Sequence, residues 1–336
     1  MPEARSKKKE IKSKGPTKAI AAALASLEKR FGEPVVKKMS DGTSNIKTFS
    51  SGRPDLDIVL GGGYGIGKII EIFAESGVGK TGLALEAIAS CQKGGGIASM
   101  IDAEHALNTE YCEQIGVIVD DLYISQPSYG EQAFEAMRAL INTGDVDLIV
   151  VDSVSALVPK AELEGESGEA KIALQARLMS QGMKLISGPA AANNCTIIFI
   201  NQLRATIAKY GPSMTTTGGK ALKFYASQRL EVKSKGVLKE GEDVIGFKQH
   251  IKVVKNKIGI PFRTLDNDIV YGVGVDKIAG LVESLVFEEI LIKTGSWFNY
   301  NGEKLANGVK KLRVFLEENP LLLEELETLL KDKRNE

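Results

Sequence analysis

Between residues 68 and 91 an apolar run, "KIIEIFA", meets a glycine-bearing segment, "ESGVGKT", and passes directly into a helix-forming stretch, "GLALEAIASC". A strand, a tight loop and a helix in immediate succession constrain this chain more than any other feature. Such a unit aims the first amides of the helix at whatever lies past the strand end. The segment "AESGVGKT" (74–81) follows the phosphate-loop pattern G-x-x-x-x-G-K-[ST] except at its first position, where Ala74 stands in place of glycine. That position is where the strand leaves the sheet, so a small Cβ is tolerable if φ stays negative. Across Glu75, Ser76, Gly77, Val78, Gly79, Lys80, Thr81 and Gly82 every residue type that touches phosphate or metal is present. Gly77 and Gly79 let backbone N–H groups turn inward, Lys80 supplies positive charge, and the Thr81 hydroxyl can ligate Mg2+. The segment reads as a working nucleotide site.

Three more apolar runs repeat the strand pattern: "GIASMIDAE" (96–104), "DLIVVDS" (147–153) and "TIIFINQ" (196–202). Each is apolar enough to be buried on both faces, as central parallel strands are. Their alternation with helical patterns predicts an α/β domain with a mostly parallel central sheet. Ligands of open parallel sheets bind beyond the carboxyl ends of the strands. The four ends would therefore bring the phosphate loop, Asp102 with Glu104, Asp152, and Asn201 with Gln202 to one edge. Asp152, at the end of its strand, is the acid expected to hold Mg2+ through water near Thr81. Glu104 has two readings at this level: a base or orienter for the water that attacks a γ-phosphate, or a helix-start acid favoured by the macrodipole.

Composition narrows the remaining classes. The chain has 336 residues, 43% of them hydrophobic, with Lys+Arg and Asp+Glu both at 43, so net charge does not point to a polyanionic partner. Its distribution says more: Arg5, Lys7, Lys8, Lys9, Lys12, Lys14 and Lys18 crowd the start. This basic leader (1–16) is either solvated or a nucleic-acid-contacting arm. Cys91, Cys112 and Cys195 offer neither a disulfide framework nor a zinc pattern, and His105 and His250 are too few for a histidine metal site. No apolar run approaches the roughly 18 residues of a membrane span. The expectation is a soluble protein of a reducing, cytoplasmic compartment, with no membrane partner.

Thr17 can cap a helix in which Ile20, Leu24, Leu27 and Phe31 share a face and Gly32 is the stop. Residues 17–40 are read as this helix and a linker, 41–275 as the core, and 276–336 as a small C-terminal α+β domain containing an Asn301-Gly302 hairpin turn. Within the core, residues 203–219 carry Arg204, Lys209, Tyr210 and the pair Gly218-Gly219 with little periodicity. A loop this long is either functional or a flexible surface segment. Its cations, hydroxyls and glycine amides suit phosphate contacts, and Tyr210 or Ile207 could stack on or wedge between bases. A second loop, 162–170, is acidic and by itself argues against nucleic acid. Lys255 and Lys257, two apart on a strand, share a face and are either solvated or aimed at an anion.

The motifs "IDAEHAL", "VDSVSALVPKAELEGE", "FINQLR", "TTTGGKALKFYAS" and "KVVKNKI", in this order behind the phosphate loop, resemble the RecA family of homologous recombinases. The resemblance runs from about Thr17 to about residue 320. It implies a P-loop NTPase core of RecA type that binds ATP and Mg2+. It further implies a head-to-tail helical filament on single-stranded DNA, pairing with homologous double-stranded DNA, and strand exchange in recombinational repair. By the same resemblance Lys80, Thr81 and Asp152 bind ATP and Mg2+, Glu104 is the catalytic base, Gln202 senses the γ-phosphate, and Tyr111 stacks on adenine near Asn108. Lys255 and Lys257 would reach ATP across a subunit interface that includes Phe224, and the helix at 18–31 would dock on the neighbouring core. Loop 162–170 with Ile172, Arg177 and Ser180 would be the first DNA loop, and 203–219 the second, with Ile207 wedged between base triplets. A LexA-type repressor and loader proteins would be further partners.

The sequence departs from the family pattern at several positions. Asn108 stands where an acid is usual, Tyr210 for Phe, Lys220 for Asn and Lys184 for Arg, and the second loop is one residue shorter than is common. The sequence ends at "KDKRNE" without the acidic tail of many relatives, so readier displacement of competing DNA binders is expected. A ring helicase or DNA-translocating ATPase of the same fold is the alternative, since it shares the phosphate loop and the strand-end acid. A non-enzymatic filament is a third reading, against which Glu104 speaks.

Overall fold

The computed structural model describes residues 17–32, 34–36, 38, 47–165, 171–205, 214–272 and 274–335. It divides into two units, residues 1–46 and residues 47–336. In the first, helix α1 (Lys18–Phe31) begins where the Thr17 side chain accepts from the Ile20 N–H at 3.4 Å, and it ends at Gly32 in the left-handed region at φ 75°. On its apolar face Ile20 and Phe31 are both more than half exposed, and Leu24 and Leu27 are partly buried.

In the second unit a short antiparallel pair, β1 (Thr48–Phe49) and β2 (Tyr64–Gly65), brackets helix α2 (Pro54–Leu60). Alternating strands and helices follow: β3 (Ile69–Ala74), α3 (Lys80–Lys93), β4 (Ile97–Asp102), α4 (Thr109–Ile115), β5 (Tyr123–Ser125), α5 (Gly130–Thr143) and β6 (Val146–Asp152). Next come α6 (Lys160–Glu164), α7 (Lys171–Ala192), β7 (Thr196–Ala205), β8 (Met214–Thr216), α8 (Ala221–Tyr225), β9 (Gln228–Glu240), β10 (Asp243–Asn256), β11 (Thr264–Val270) and β12 (Gly274–Val275). Among the described residues they build one sheet in the order β12-β11-β10-β9-β3-β7-β6-β4-β5, with β8 paired to β7. The run β9-β3-β7-β6-β4-β5 is parallel, while β10, β11 and β12 extend it antiparallel. The expected mostly parallel α/β core is therefore present, with an antiparallel flank.

The period of two along each central strand divides its side chains between two cores. Ile70, Ile72, Leu148, Val150, Ile198 and Ile200 face one, beneath α3. Ile69, Ile149, Val151, Ile197 and Phe199 face the other, with Phe134 and Met137 of α5 and Met179, Met183 and Ile186 of α7. Burying one such side chain contributes about 1.5–3 kcal/mol, which is why strands this apolar can occupy only the centre of the sheet.

The C-terminal segment has its own core of Leu281, Leu285, Phe298, Leu312, Leu316 and Leu326. It consists of α9 (Lys277–Phe287), the antiparallel strands β13 (Ile292–Thr294), β14 (Trp297–Tyr300) and β15 (Glu303–Asn307), then α10 (Val309–Glu318) and α11 (Pro320–Asn335). Asn301 and Gly302 both have positive φ, at 49° and 84°, as a two-residue primed turn requires.

Candidate nucleotide site and DNA-facing surfaces

Because β3, β4, β6 and β7 are parallel and in register, their carboxyl ends meet at one sheet edge. Ala74 pairs with Gln202, and Asp102 with Asp152. Ala74 is fully buried and is not among the positive-φ residues, so the one departure in the phosphate-loop pattern costs no backbone strain. Gly77 and Gly79, in contrast, stand at φ 76° and 82°. The loop ends at the N-terminus of α3, where Lys80 is buried and its ammonium donates to the Glu75 carbonyl at 2.5 Å. Burial lowers the Lys80 pKa, opposed by the nearby Asp152 and Glu104 carboxylates.

The Thr81 hydroxyl donates to Asp152 Oδ2 at 2.7 Å. Burial pushes the Asp152 carboxyl up to about 6; the Thr81 hydrogen bond opposes this, and the neighbouring Glu104 charge adds to it. Glu104 sits past the end of β4, where its N–H and that of Ala103 donate to the Asp152 carbonyl at 3.3 and 2.8 Å. Its Oε1 accepts from Ser153 Oγ at 2.5 Å and from Gln202 Nε2 at 3.1 Å. Ser153 in turn lies 2.6 Å from Ser155 Oγ. Gln202, at the end of β7, thus touches the carboxylate at the end of β4. The macrodipole reading of Glu104 does not account for this side-chain pairing.

A cavity of about 320 Å3 opens beside this cluster, lined by Thr81, Asp102, Glu104, Asn108, Tyr111 and Asp152 among others. Asn108 caps α4 by accepting from the Tyr111 N–H at 2.9 Å, a role that oxygen of either an amide or an acid fills. Tyr111 is partly exposed, and its hydroxyl would meet a Cβ on Gly82 at 2.9 Å, so these two residues approach closely only because Gly82 has no side chain. Asp102 is buried and committed to the protein itself: it accepts from the Ala106 N–H at 3.3 Å and from Gln126 Nε2 at 3.0 Å. Its geometry is that of a bracket for the β4–α4 turn. Oxygen donors from Thr81 and Asp152, adjacent and half-hidden from water, fit a small hard cation such as Mg2+. Among the described residues no cluster of three or more His, Cys, Asp or Glu side chains forms a metal cage.

Lys255 and Lys257 lie at the other edge of the sheet. Lys255 pairs with Arg229, which pairs with Glu71 near the start of β3. Lys257, one residue beyond β10, donates its N–H to Ser227, whose own N–H reaches Ile69. At about 3.3 Å per residue, Lys255, level with Glu71, lies about 10 Å before Ala74 along the direction of β3, and Lys257, level with Ile69, about 16 Å. The Lys255 ammonium donates to the carbonyls of Lys223 at 2.7 Å and Phe224 at 3.2 Å, beside the exposed Phe224 ring. Burial lowers the Lys255 pKa, and the Lys257 charge adds to that.

Of the residues expected to meet DNA, Arg177 and Arg204 are exposed and Ser180 is half-buried. Arg177 and Lys184, seven apart, share one face of α7. Gly218 and Gly219 have φ of 78° and 75° and pack on α7. A Cβ on Gly218 would stand 2.9 Å from Val154 Cγ1, and one on Gly219 2.8 Å from Ala176 Cβ. Ile207, Lys209 and Tyr210 lie outside the described residues, as do the leader 1–16 and residues 166–170; the backbone of Ile172 falls in α7. Sequence reading missed Ser153 and Ser155 beside Glu104. It also missed a buried polar chain in which Asn201 Nδ2 donates to Glu71 Oε1 at 2.9 Å and Arg229 Nε to Glu71 Oε2 at 2.5 Å. A lone acid inside "KIIEIFA" was the available signal for the latter.

The family model for the RecA N-terminal domain matches residues 18–276, and that for the RecA C-terminal domain matches residues 280–335. The curated "Protein RecA" of Acinetobacter baylyi is 47% identical over 320 residues, covering 94% of this chain and 92% of its own length. That of Staphylococcus aureus is 46% identical over 319 residues, with the same coverage.

Proposed function

This chain belongs to the RecA family, and we infer from that premise that it is a homologous recombinase: a DNA-dependent ATPase acting in DNA recombination, repair and the SOS response. It binds ATP and DNA and associates with copies of itself. Among the described residues no helix is long and apolar enough to cross a membrane; a cytoplasmic place of action is part of the same inference from the family. The observation that carries the mechanism is the convergence of Lys80, Thr81, Glu104, Asp152 and Gln202 on one sheet edge, produced by four parallel strands in register.

In this reading the amides of residues 77–81 and the Lys80 ammonium bind the β- and γ-phosphates, and Tyr111 packs against the adenine. Thr81 and Asp152 hold Mg2+, which when bound neutralises charge on the phosphates. Glu104 takes the proton of the attacking water. Gln202, already paired with Glu104, registers the γ-phosphate and passes that state to the loop starting at Leu203. Arg177, Ser180, Arg204, Ile207, Lys209 and Tyr210 contact single-stranded DNA, largely through its backbone, while base pairing with the duplex supplies sequence specificity.

The two ends of the sheet support a filament. Lys255 and Lys257 stand toward the end of the sheet opposite their own loop, which supports the reading that they serve the loop of the next copy, with Phe224 in the same interface. A head-to-tail contact of this kind propagates helically. The exposed Ile20 and Phe31 of α1 are suited to dock on a neighbouring core. The core then spans residues 41–275 and the C-terminal domain 276–336, a division supported by the separate C-terminal core and by the boundary between the two family models. A LexA-type repressor and loader proteins are the expected accessory partners.

Strand transfer from a labelled duplex onto single-stranded DNA, with ATP and Mg2+, tests this reading against homologous and scrambled partners. Transfer with the homologous partner alone is expected. Equal unwinding of both would mark a helicase and overturn it.

A further inference from the structure

Beneath the phosphate-loop segment lies a buried polar cluster that the mechanism above does not use. Arg53, just before α2, is 2% exposed, yet both of its carboxylate neighbours are distant: Asp55 at 3.7 Å and Glu86 at 3.9 Å. The guanidinium is bound instead by two amide oxygens. Its Nη1 donates to Gln249 Oε1 at 3.0 Å, and its Nη2 donates to Asn267 Oδ1. Gln249 on β10 and Asn267 on β11 are register partners, so the two antiparallel strands present both amides to one cation. A cation bonded to an amide oxygen fixes which way the amide faces, because the guanidinium has donors only. The NH2 group of each amide must then point away from Arg53.

The Gln249 NH2 group points at the loop. Gln249 is 1% exposed, and its Nε2 donates to the Val78 carbonyl at 2.8 Å. In a trans peptide the C=O and the following N–H point in opposite directions. Holding the Val78 oxygen toward Gln249 therefore turns the Gly79 N–H away from the cluster. Gly79 accepts this arrangement because it stands at φ 82° and because a Cβ there would meet Gln249 Nε2 at 2.8 Å.

We propose that Arg53 and Gln249 are positioning residues for nucleotide binding: Arg53 orients the Gln249 amide, and Gln249 locks the Val78–Gly79 peptide with the Gly79 N–H directed outward to the phosphates. The proposal rests on the phosphate-loop reading of residues 74–81. The strut couples that loop to the antiparallel flank of the sheet, and through the 2.6 Å bond from Asn267 Nδ2 to Asp55 Oδ2 it reaches the start of α2.

The test compares the full chain with Gln249→Met, Gln249→Glu, Leu265→Ala and Lys80→Ala. Gln249→Met keeps the volume and removes both hydrogen bonds. Gln249→Glu keeps a partner for Arg53 and removes only the donor to Val78, so it serves if the first variant does not fold. Leu265→Ala is a truncation in the same core on β11 that lowers Tm while keeping every hydrogen bond of the strut. ATP affinity with Mg2+ is measured by calorimetry, KM and kcat in DNA-stimulated hydrolysis, and Tm in the absence of nucleotide. Both Gln249 variants are expected to weaken ATP binding about three- to tenfold, the equivalent of one hydrogen bond. KM should rise in step and kcat stay within about twofold, while Leu265→Ala binds ATP like the parent. Parent-like affinity in the Gln249 variants, or equal weakening in Leu265→Ala, would overturn the strut and leave the site reading intact, provided Lys80→Ala has lost binding. Equal binding by the parent and Lys80→Ala would instead overturn the phosphate-loop reading, and the strut with it.

Discussion

Gln202 Nε2 donates to Glu104 Oε1 at 3.1 Å, joining the ends of two strands that lie 98 residues apart in the chain. Ser153 Oγ donates to the same oxygen at 2.5 Å, so both donors converge on one side of the carboxylate. A base held this way keeps its orientation and touches the residue that would register the γ-phosphate. Glu104→Gln keeps the shape and removes the basicity. Turnover is expected to fall about 10²- to 10⁴-fold, with ATP affinity within a few-fold of the parent. Phosphate-release assays beside equilibrium binding decide this, and parent-like turnover would remove Glu104 from the role.

Asp152 and Thr81 make a separate, metal-centred prediction. Their oxygens lie 2.7 Å apart at the ends of β6 and the loop. If they hold Mg2+, Asp152→Asn should remove most of the Mg2+-dependent gain in nucleotide affinity while leaving the weaker affinity in EDTA unchanged. Titrating nucleotide with and without Mg2+ separates the two components. An equal loss in both conditions would mean that Asp152 supports the loop and does not hold the ion.

The parts of this molecule that were legible from sequence are those governed by local period and by chain order. The alternation within "KIIEIFA" and "DLIVVDS" sorts side chains between two cores, and four strand ends follow from four buried runs. Thr17, Gly32 and Asn301-Gly302 announce their own caps and turn. Partnerships across long separations were not legible. Arg53 stands 196 residues from Gln249 and 214 from Asn267, and an arginine before "PDLDIV" reads as surface until the fold buries it. Gly218 and Gly219 could be read as flexible loop glycines, yet their close approach to Val154 and Ala176 is a packing requirement. Asp102 ends a strand and lines the cavity, and its bonds from Gln126 and the Ala106 N–H could not be foreseen from that position.

The two sheet edges yield a prediction about mixtures. Lys80 and Lys255 serve different copies of the chain in the proposed filament, so Lys80→Ala and Lys255→Ala should each be inactive alone. In an equimolar mixture, a Lys255→Ala subunit still offers an intact loop, and a Lys80→Ala neighbour still offers an intact Lys255. Random head-to-tail assembly should then restore about a quarter of the sites, read as DNA-dependent ATP hydrolysis. A mixture no more active than its components would place both lysines in the same subunit's site.

Glu86, on α3 one turn beyond the loop, gives the pH dependence. Its Oε2 is buried, with no hydrogen-bond partner among the described residues. Burial raises the carboxyl from 4.5 to about 7, with Arg53 and Lys277 opposing and Asp55 adding to the rise. Between those two values the folded chain keeps a proton that the unfolded chain has released. Folding therefore takes up a proton there, and stability falls as pH rises through this window, then levels off above about 7. Glu86→Gln removes the titration. It should flatten the slope between pH 5 and 7 and raise stability at pH 8 by roughly 1–3 kcal/mol, the order of magnitude that follows from a shift of this size. Denaturant unfolding at several pH values checks both effects. Curves for parent and variant that stay parallel from pH 5 to 8 would show that Glu86 is already charged in the folded chain at pH 5, and that the Arg53 guanidinium offsets its burial.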